Sequence, residues 1–135
     1  MIPIPFSLRR TVQDPVTYLQ NVTRLDGLVG MEDDDVVLQY RVREWRWKRS
    51  GARELTESGV RETRLPLRSI RRAELRAGWF RTRVALFPAD LRGFVEIPGF
   101  SGDELTLRIP RSERRGAEQL VNSIELALSS RLLGR

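Results

Sequence analysis

This chain of 135 residues has no cysteine and no histidine, two residue types whose side chains often bind metals or take part in catalysis. Without cysteine there is no disulfide, no thiolate nucleophile and no thiolate metal ligand. Without histidine the chain lacks the side chain whose pKa best suits proton transfer at neutral pH. Zinc sites and histidine-dependent catalytic triads are therefore excluded. We expect a protein that is not an enzyme and that holds no cofactor.

Long apolar runs are also missing. No stretch approaches the roughly 18 apolar residues of a membrane-spanning helix, and the first residues lack the basic start and apolar run of a secretory signal. We therefore expect a cytoplasmic protein. Hydrophobic residues make up 40% of the chain and charged residues 31%, which is typical of a globular domain rather than of a disordered chain. The length suits one domain over residues 1–135.

Positive charge is in excess, and almost all of it comes from arginine. The 24 basic residues include one lysine, Lys48, and stand against 18 acids, so the net charge is +6. Such a surplus attracts nucleic acid or an anionic membrane. The arginines are nevertheless spread along the whole chain, whereas a binding footprint gathers them on one face of the fold. Composition by itself is therefore not evidence for either partner.

Most of the chain alternates apolar and polar residues in short runs that end at Gly, Asp, Ser or Pro, a pattern typical of antiparallel strands. Residues 1–17 are expected to form an N-terminal arm or an edge strand, because Pro3 and Pro5 remove backbone donors from one edge. Residues 18–109 hold the other strands. Seven are predicted there: 18–31, 36–47, 60–67, 70–77, 80–87, 91–97 and 104–109.

The period of the apolar residues becomes helical after Pro110. One stripe is formed by Ala117, Leu120, Val121, Ile124 and Leu128. We predict an amphipathic helix over 112–132 that packs on the sheet. The expected fold class is mainly β with one C-terminal α-helix: a single antiparallel barrel or sandwich of seven strands, capped by that helix.

Several short segments resemble small bacterial proteins with a pleckstrin-homology-like (PH-like) domain and uncharacterised function. They are Leu65-Pro66-Leu67 followed by Ile70, Glu74-Leu75, Gly78-Trp79-Phe80 and Leu105-Thr106-Leu107, together with the terminal helix. The resemblance spans residues 23–131. It implies a PH-like scaffold for binding rather than for catalysis. Within it, Trp79 and Phe80 are expected to anchor the core or its rim.

Phosphoinositide-binding members of that family imply basic residues on the first two strands and around the turn between them. Arg24 and Arg41 lie near such positions, but the turn assigned to this role is Glu32-Asp33-Asp34-Asp35. Four carboxylates repel a phosphorylated headgroup. We therefore expect no phosphoinositide or membrane binding. We also expect no metal at this turn, because consecutive acids cannot all face one ion and the calcium-loop spacing is missing.

The least ordinary part of the sequence is residues 41–49. In the strand 36–47, Val36 and every second residue to Val42 supply the core face, which places Trp45 and Trp47 on the other face. We assign an interaction surface to this segment. Its residues are Trp45, Trp47, Arg41, Arg43, Arg46, Lys48 and Arg49.

Tryptophans beside arginines fit more than one role. They form the centre of a contact with a protein partner or a second copy, or they stack on the bases of single-stranded nucleic acid. A structural interpretation is that arginine stems cover rings which pack across neighbouring strands. The leading hypothesis is a non-catalytic module for protein interaction or assembly. The alternative is a nucleic-acid-binding domain that uses Trp45, Trp47 and the surrounding arginines.

Overall fold

The computed structural model describes residues 2–134, with side chains to Arg131. Met1 and Arg135, the two ends of the expected domain 1–135, lie outside the described residues. Within these limits eight strands precede one long helix. They are β1 (Ile4–Gln13), β2 (Gln20–Glu32), β3 (Asp35–Trp47), β4 (Arg53–Glu57), β5 (Arg61–Pro66), β6 (Ile70–Ala77), β7 (Thr82–Pro88), β8 (Leu105–Ile109) and α1 (Arg114–Gly134).

All eight strands belong to one antiparallel sheet with the order β4-β3-β2-β1-β8-β7-β6, and β5 also pairs with β3. β4 pairs with residues 43–47 of β3, and β5 pairs with residues 35–40. Between them, a bulge sets residues 58–60 opposite the two residues Arg41 and Val42. The N–H of Ser58 donates to the Val42 carbonyl at 2.9 Å, and the N–H of Val42 donates to Ser58 Oγ at 3.0 Å. β4 and β5 thus share one position in the sheet.

The core lies on the inner face of the sheet, under α1. Alternate residues of the strands are buried there, among them Phe6, Leu38 and Leu107. The helix contributes the predicted stripe, in which Ala117, Leu120, Val121 and Ile124 are buried and Leu128 is half-buried. The predicted packing of the helix on the sheet is therefore confirmed. No helix in the described part of the chain is long and apolar enough to cross a membrane.

β2 and β3 approach each other closely at Gly27. A Cβ atom at this position would overlap the carbonyl oxygen of Gln39 and lie 2.7 Å from the Cα of Tyr40. The partners of Gly27 in the ladders are Phe6 and Tyr40, whose rings are buried. Glycine is therefore required where the two strands close over these rings.

β1 differs from the expectation of an N-terminal arm or edge strand over residues 1–17. All 10 of its residues pair with β2, and β8 lies on its other side. In the described chain, β8 meets β1 at one residue pair, Ser7 and Arg108. Prolines are tolerated where a strand forms few hydrogen bonds along one side. This is true of the outermost strand of a sheet, and it is also true of β1, because β8 pairs with it at one position.

Two further differences concern the predicted strands. Residues 91–97 contain a 3-10 turn, Phe94–Glu96, instead of a strand. Phe94 and Ile97 are both buried, so the apolar spacing there is three residues and not two. β4 escapes prediction because all of its residues are exposed and no alternation develops. The other predicted strands and the helix agree with the structure to within about two residues, the usual scatter of element ends.

We predict that Ile124→Asp unfolds the domain. Ile124 is fully buried under the sheet, and an unpaired carboxylate in apolar surroundings costs several kcal/mol out of a typical stability of about 5–15 kcal/mol. Leu126→Asp is the matched control, because Leu126 on the same helix is 71% exposed. Thermal unfolding followed by circular dichroism should lose its transition in the first variant only. An unchanged Tm for Ile124→Asp would contradict this packing.

Candidate functional site

The ends of four strands project beyond the core. They are residues 9–13, 20–24 and 43–47, together with β4, and each of these residues is exposed or half-buried. Their ladders nevertheless continue without interruption. We call this part of the sheet the wing. Because both of its faces contact solvent, the wing presents side chains that folding of the core does not use.

The tryptophans lie on the outer face of the sheet, which points away from α1. Strand register places Val22, Trp45 and Leu55 side by side on three neighbouring strands. Trp45 is half-buried between them, and Trp47 is 41% exposed. The guanidinium carbon of Arg53 lies 5.7 Å from the centroid of the Trp47 ring, close enough for a cation–π contact. The tryptophans are therefore outside the core.

A cleft of about 310 Å³ opens between these side chains. Its lining residues are Arg9, Gln20, Val22, Arg24, Trp45, Trp47 and Arg53. We call it the tryptophan cleft. Its lining combines three apolar side chains, those of Val22, Trp45 and Trp47, with three arginines.

One carboxylate holds the arginines beside the cleft in place. Asp26 accepts the Arg24 Nε at 3.1 Å and the Arg43 Nη2 at 3.3 Å. Arg41 lies directly opposite Asp26 in the β2–β3 ladder. Arg41 and Arg43 therefore share the outer face with Trp45 and Trp47, as the alternation along β3 predicts.

The remaining predicted residues of the interaction surface lie elsewhere. Arg46 points to the opposite face of β3, where it pairs with Glu44 at 3.6 Å. Lys48 and Arg49 belong to the turn between β3 and β4, and Lys48 pairs with Glu54 at 3.3 Å. Sequence proximity alone had grouped these three cations with the tryptophans. The strand geometry separates them from the tryptophan cleft.

Neighbouring strands supply cleft residues that the sequence did not reveal. Arg9 comes from β1, Val22 from β2 and Arg53 from β4, and Leu55 of β4 lies opposite Trp45 beside the cleft. Alternation within β3 gives the face of Trp45 but not the residues across from it. Finding them requires the knowledge that β1 continues to Gln13 and that residues 53–57 form a strand.

Trp79 and Phe80 are 84% and 77% exposed. They form the turn between β6 and β7, where the N–H of Gly78 donates to the Arg81 carbonyl at 2.7 Å. The expectation that they anchor the core or its rim is wrong. This turn lies past Ala77 and Thr82, the last residue pair of the β6–β7 ladder.

The acidic segment lies at a different turn from the one expected. Because residues 4–13 form β1, the first turn is 14–19, and Asp33 and Asp34 join β2 to β3. The first turn contains no arginine or lysine. Within it Asp14 accepts hydrogen bonds from the N–H groups of Val16, at 2.8 Å, and Thr17, and these lower the pKa of its carboxyl group. This turn therefore offers no cation to a phosphorylated headgroup.

Comparison with other proteins gives no guide to the site. No protein-family profile, curated protein sequence or solved structure matches the chain. Across the described residues, the acidic side chains form no group of three or more that would hold a metal ion.

We predict that the first turn does not support phosphoinositide binding. A turn without cations offers no charge-assisted hydrogen bonds to a phosphorylated headgroup. In liposome flotation at near-physiological salt, Arg24→Ala and Arg41→Ala should leave the amount of protein retained by phosphatidylinositol bisphosphate vesicles unchanged. Headgroup-selective binding that is lost on Arg24→Ala or Arg41→Ala would contradict this prediction.

Proposed function

We propose that this chain is a non-catalytic binding or assembly module with a PH-like fold, and that it contacts a protein partner or a second copy of itself through the tryptophan cleft. The observation that carries the proposal is the position of Trp45 and Trp47 on a part of the sheet that the core does not need. Tryptophan is enriched among the residues that dominate binding energy. Together with Val22 and Leu55 the two tryptophans form one contiguous apolar surface on the sheet, and surfaces of this kind mark contact sites.

The order of the elements supports the PH-like assignment. Two antiparallel meanders, β1 to β5 and β6 to β8, meet at β1 and β8 and supply seven positions in the sheet when β4 and β5 are taken together, and the chain ends in a helix over the inner face. An antiparallel sheet followed by one helix that covers it is what the resemblance implies. With no histidine or cysteine in the chain, the proposal assigns binding rather than catalysis to the scaffold.

The surroundings of the tryptophans favour a protein partner over stacked bases. The guanidinium of Arg53 already lies over one face of the Trp47 ring, and Trp45 is half-buried between Val22 and Leu55. Neither ring is free for stacking on both faces. An apolar side chain of a partner, by contrast, fits beside Val22 and Leu55, with the arginines forming a polar rim.

A nucleic-acid-binding domain is the second candidate, favoured by Arg9 and Arg41 on the same face of the sheet. Salt dependence separates the two functions. Phosphate contacts release counterions, so log affinity falls steeply with log salt concentration. An apolar contact centred on tryptophan changes little over the same range.

We predict that Trp45→Ser combined with Trp47→Ser abolishes association while the domain stays folded. Residues of this kind contribute about 2 kcal/mol or more each to a contact, which corresponds to at least about thirtyfold in affinity. Light scattering over a range of protein concentrations should detect loss of a dimer. If the chain is monomeric, pull-downs with both forms as bait should show a partner lost from the variant.

The matched control is Trp79→Ser combined with Phe80→Ser, which removes two aromatics from a turn far along the sheet order. It should leave association unchanged. If the Trp45/Trp47 variant fails to fold, Trp47→Ser alone preserves the test, because Trp47 is the more exposed of the two. Association that survives in both variants would overturn the proposed contact surface.

A further inference from the structure

A second cleft lies on the outer face at the seam between β1 and β8. β1 touches β8 at Ser7 and Arg108 and then separates from it. The gap is closed by the loop before β8, where Arg10 Nη1 donates to the Phe100 carbonyl at 2.8 Å. Gly99, with φ +87°, lets this loop lie against Leu8. The resulting cleft has a volume of about 270 Å³, and we call it the seam pocket.

Four arginines line the seam pocket. Arg10 donates to the Phe100 carbonyl, and the other three, Arg9, Arg83 and Arg108, come from three different strands. Arg83 and Arg108 are direct partners in the β7–β8 ladder, and Arg108 is the partner of Ser7. Arg9 lies two residues beyond Ser7 on the same face of β1. The register therefore brings together cations that are far apart in the sequence.

The positive charges of Arg9, Arg83 and Arg108 are not paired with carboxylates in the described part of the chain. None of them forms a salt bridge with any residue that the structure describes. Side chains directly opposite each other in a ladder have Cβ atoms only about 4.5–5.5 Å apart, and like charges in this position are destabilising. The ladder thus places two like charges, Arg83 and Arg108, directly opposite each other.

The next arginine across the sheet, Arg76, differs from these three because it is paired with carboxylates. Arg76 is the ladder partner of Arg83, and it pairs with Glu104 at 2.9 Å and with Glu74 at 3.5 Å. Glu104 above all, and Glu74 to a lesser degree, raise the pKa of Arg76. Glu104 also lines the seam pocket, but its charge is already balanced by Arg76. The pocket itself therefore remains cationic.

We propose that the seam pocket binds a phosphate group, held by Arg9, Arg83 and Arg108. Guanidinium groups present planar pairs of N–H donors that match phosphate oxygens. The Thr106 hydroxyl lies in the same lining and adds a neutral donor, whereas the Ser101 hydroxyl already donates to the Glu104 carbonyl at 3.3 Å. A phosphate dianion balances the three cations better than a carboxylate does, because it brings two negative charges and more acceptor oxygens.

This site is separate from the protein contact proposed above. Arg9 lines both the seam pocket and the tryptophan cleft, so substitutions at Arg9 would not distinguish them. Arg83 and Arg108 line only the seam pocket of the two. The test therefore uses these two positions, and the Trp45/Trp47 variant serves as the reverse control.

The experiment is a titration with inorganic phosphate and with pyrophosphate at constant ionic strength, followed by calorimetry and by NMR amide shifts. We expect saturable binding that Arg83→Gln and Arg108→Gln each weaken at least tenfold. Arg61→Gln removes an exposed arginine from β5 and should bind as the unmodified chain does, as should the Trp45/Trp47 variant.

Thermal stability provides a second test, because we expect Arg108→Gln to lower the affinity for phosphate but to raise the Tm. Without phosphate, Arg108→Gln should raise the Tm, because it removes the repulsion between Arg83 and Arg108. Added phosphate should raise the Tm of the unmodified chain and leave that of Arg108→Gln unchanged. A purely structural role for Arg108 predicts the reverse, a lower Tm in the variant.

Three results would overturn the proposal: no saturation by either anion, equal loss of binding in Arg61→Gln, or a lower Tm for Arg108→Gln without phosphate.

Flotation with vesicles that contain phosphatidic acid shows whether the phosphate group that binds belongs to a lipid or to a soluble compound. Flotation that both seam variants abolish, together with binding of inorganic phosphate, assigns the site to lipid headgroups as well as soluble compounds. Inorganic phosphate binding without flotation assigns it to soluble phosphate compounds. Flotation without inorganic phosphate binding counts against the pocket.

Discussion

The continuous ladder through β1, β2 and β3 is the element on which both candidate sites depend. β2 pairs with all of β1 and with nearly all of β3 in one register. A slip of one residue in this ladder would exchange the faces of every side chain on the slipped strand. Phe6, Leu25 and Leu38 must point inward, and burial of these residues fixes the register. Trp45 and the arginines of the outer face are therefore positioned by the core, although they make little contact with it.

The outer face combines two features that stability alone does not explain. Aromatic side chains are exposed on the wing, and arginines stand opposite one another across neighbouring strands. Other arginines on this face are paired with a carboxylate: Asp26 forms salt bridges with both Arg24 and Arg43. Arg83 and Arg108 have no such carboxylate among the described residues. The difference between balanced and unbalanced cations, rather than the net charge of +6, is what points to specific chemistry.

Several parts of this arrangement could be predicted from the sequence. The helix stripe and most strands follow from periodicity, because each buries one face and the burial leaves a regular apolar pattern. β4 buries nothing and so leaves no pattern. The placement of β1 depends on β8, which comes from the far end of the chain. The gathering of Arg9, Arg83 and Arg108 likewise arises from pairings between distant segments. Alternation within one strand carries no information about its neighbours.

The bulge at residues 58–60 has a consequence for how this domain can change over evolutionary time. It separates β4, which is exposed throughout, from β5, which contributes Leu65 to the core. Residues added or removed in pairs at the β3–β4 turn would lengthen or shorten the hairpin without altering the pairing below the bulge. The length of the β3–β4 hairpin can therefore change while the core below the bulge stays the same, so the area of exposed sheet on this hairpin is independent of the packing of the core.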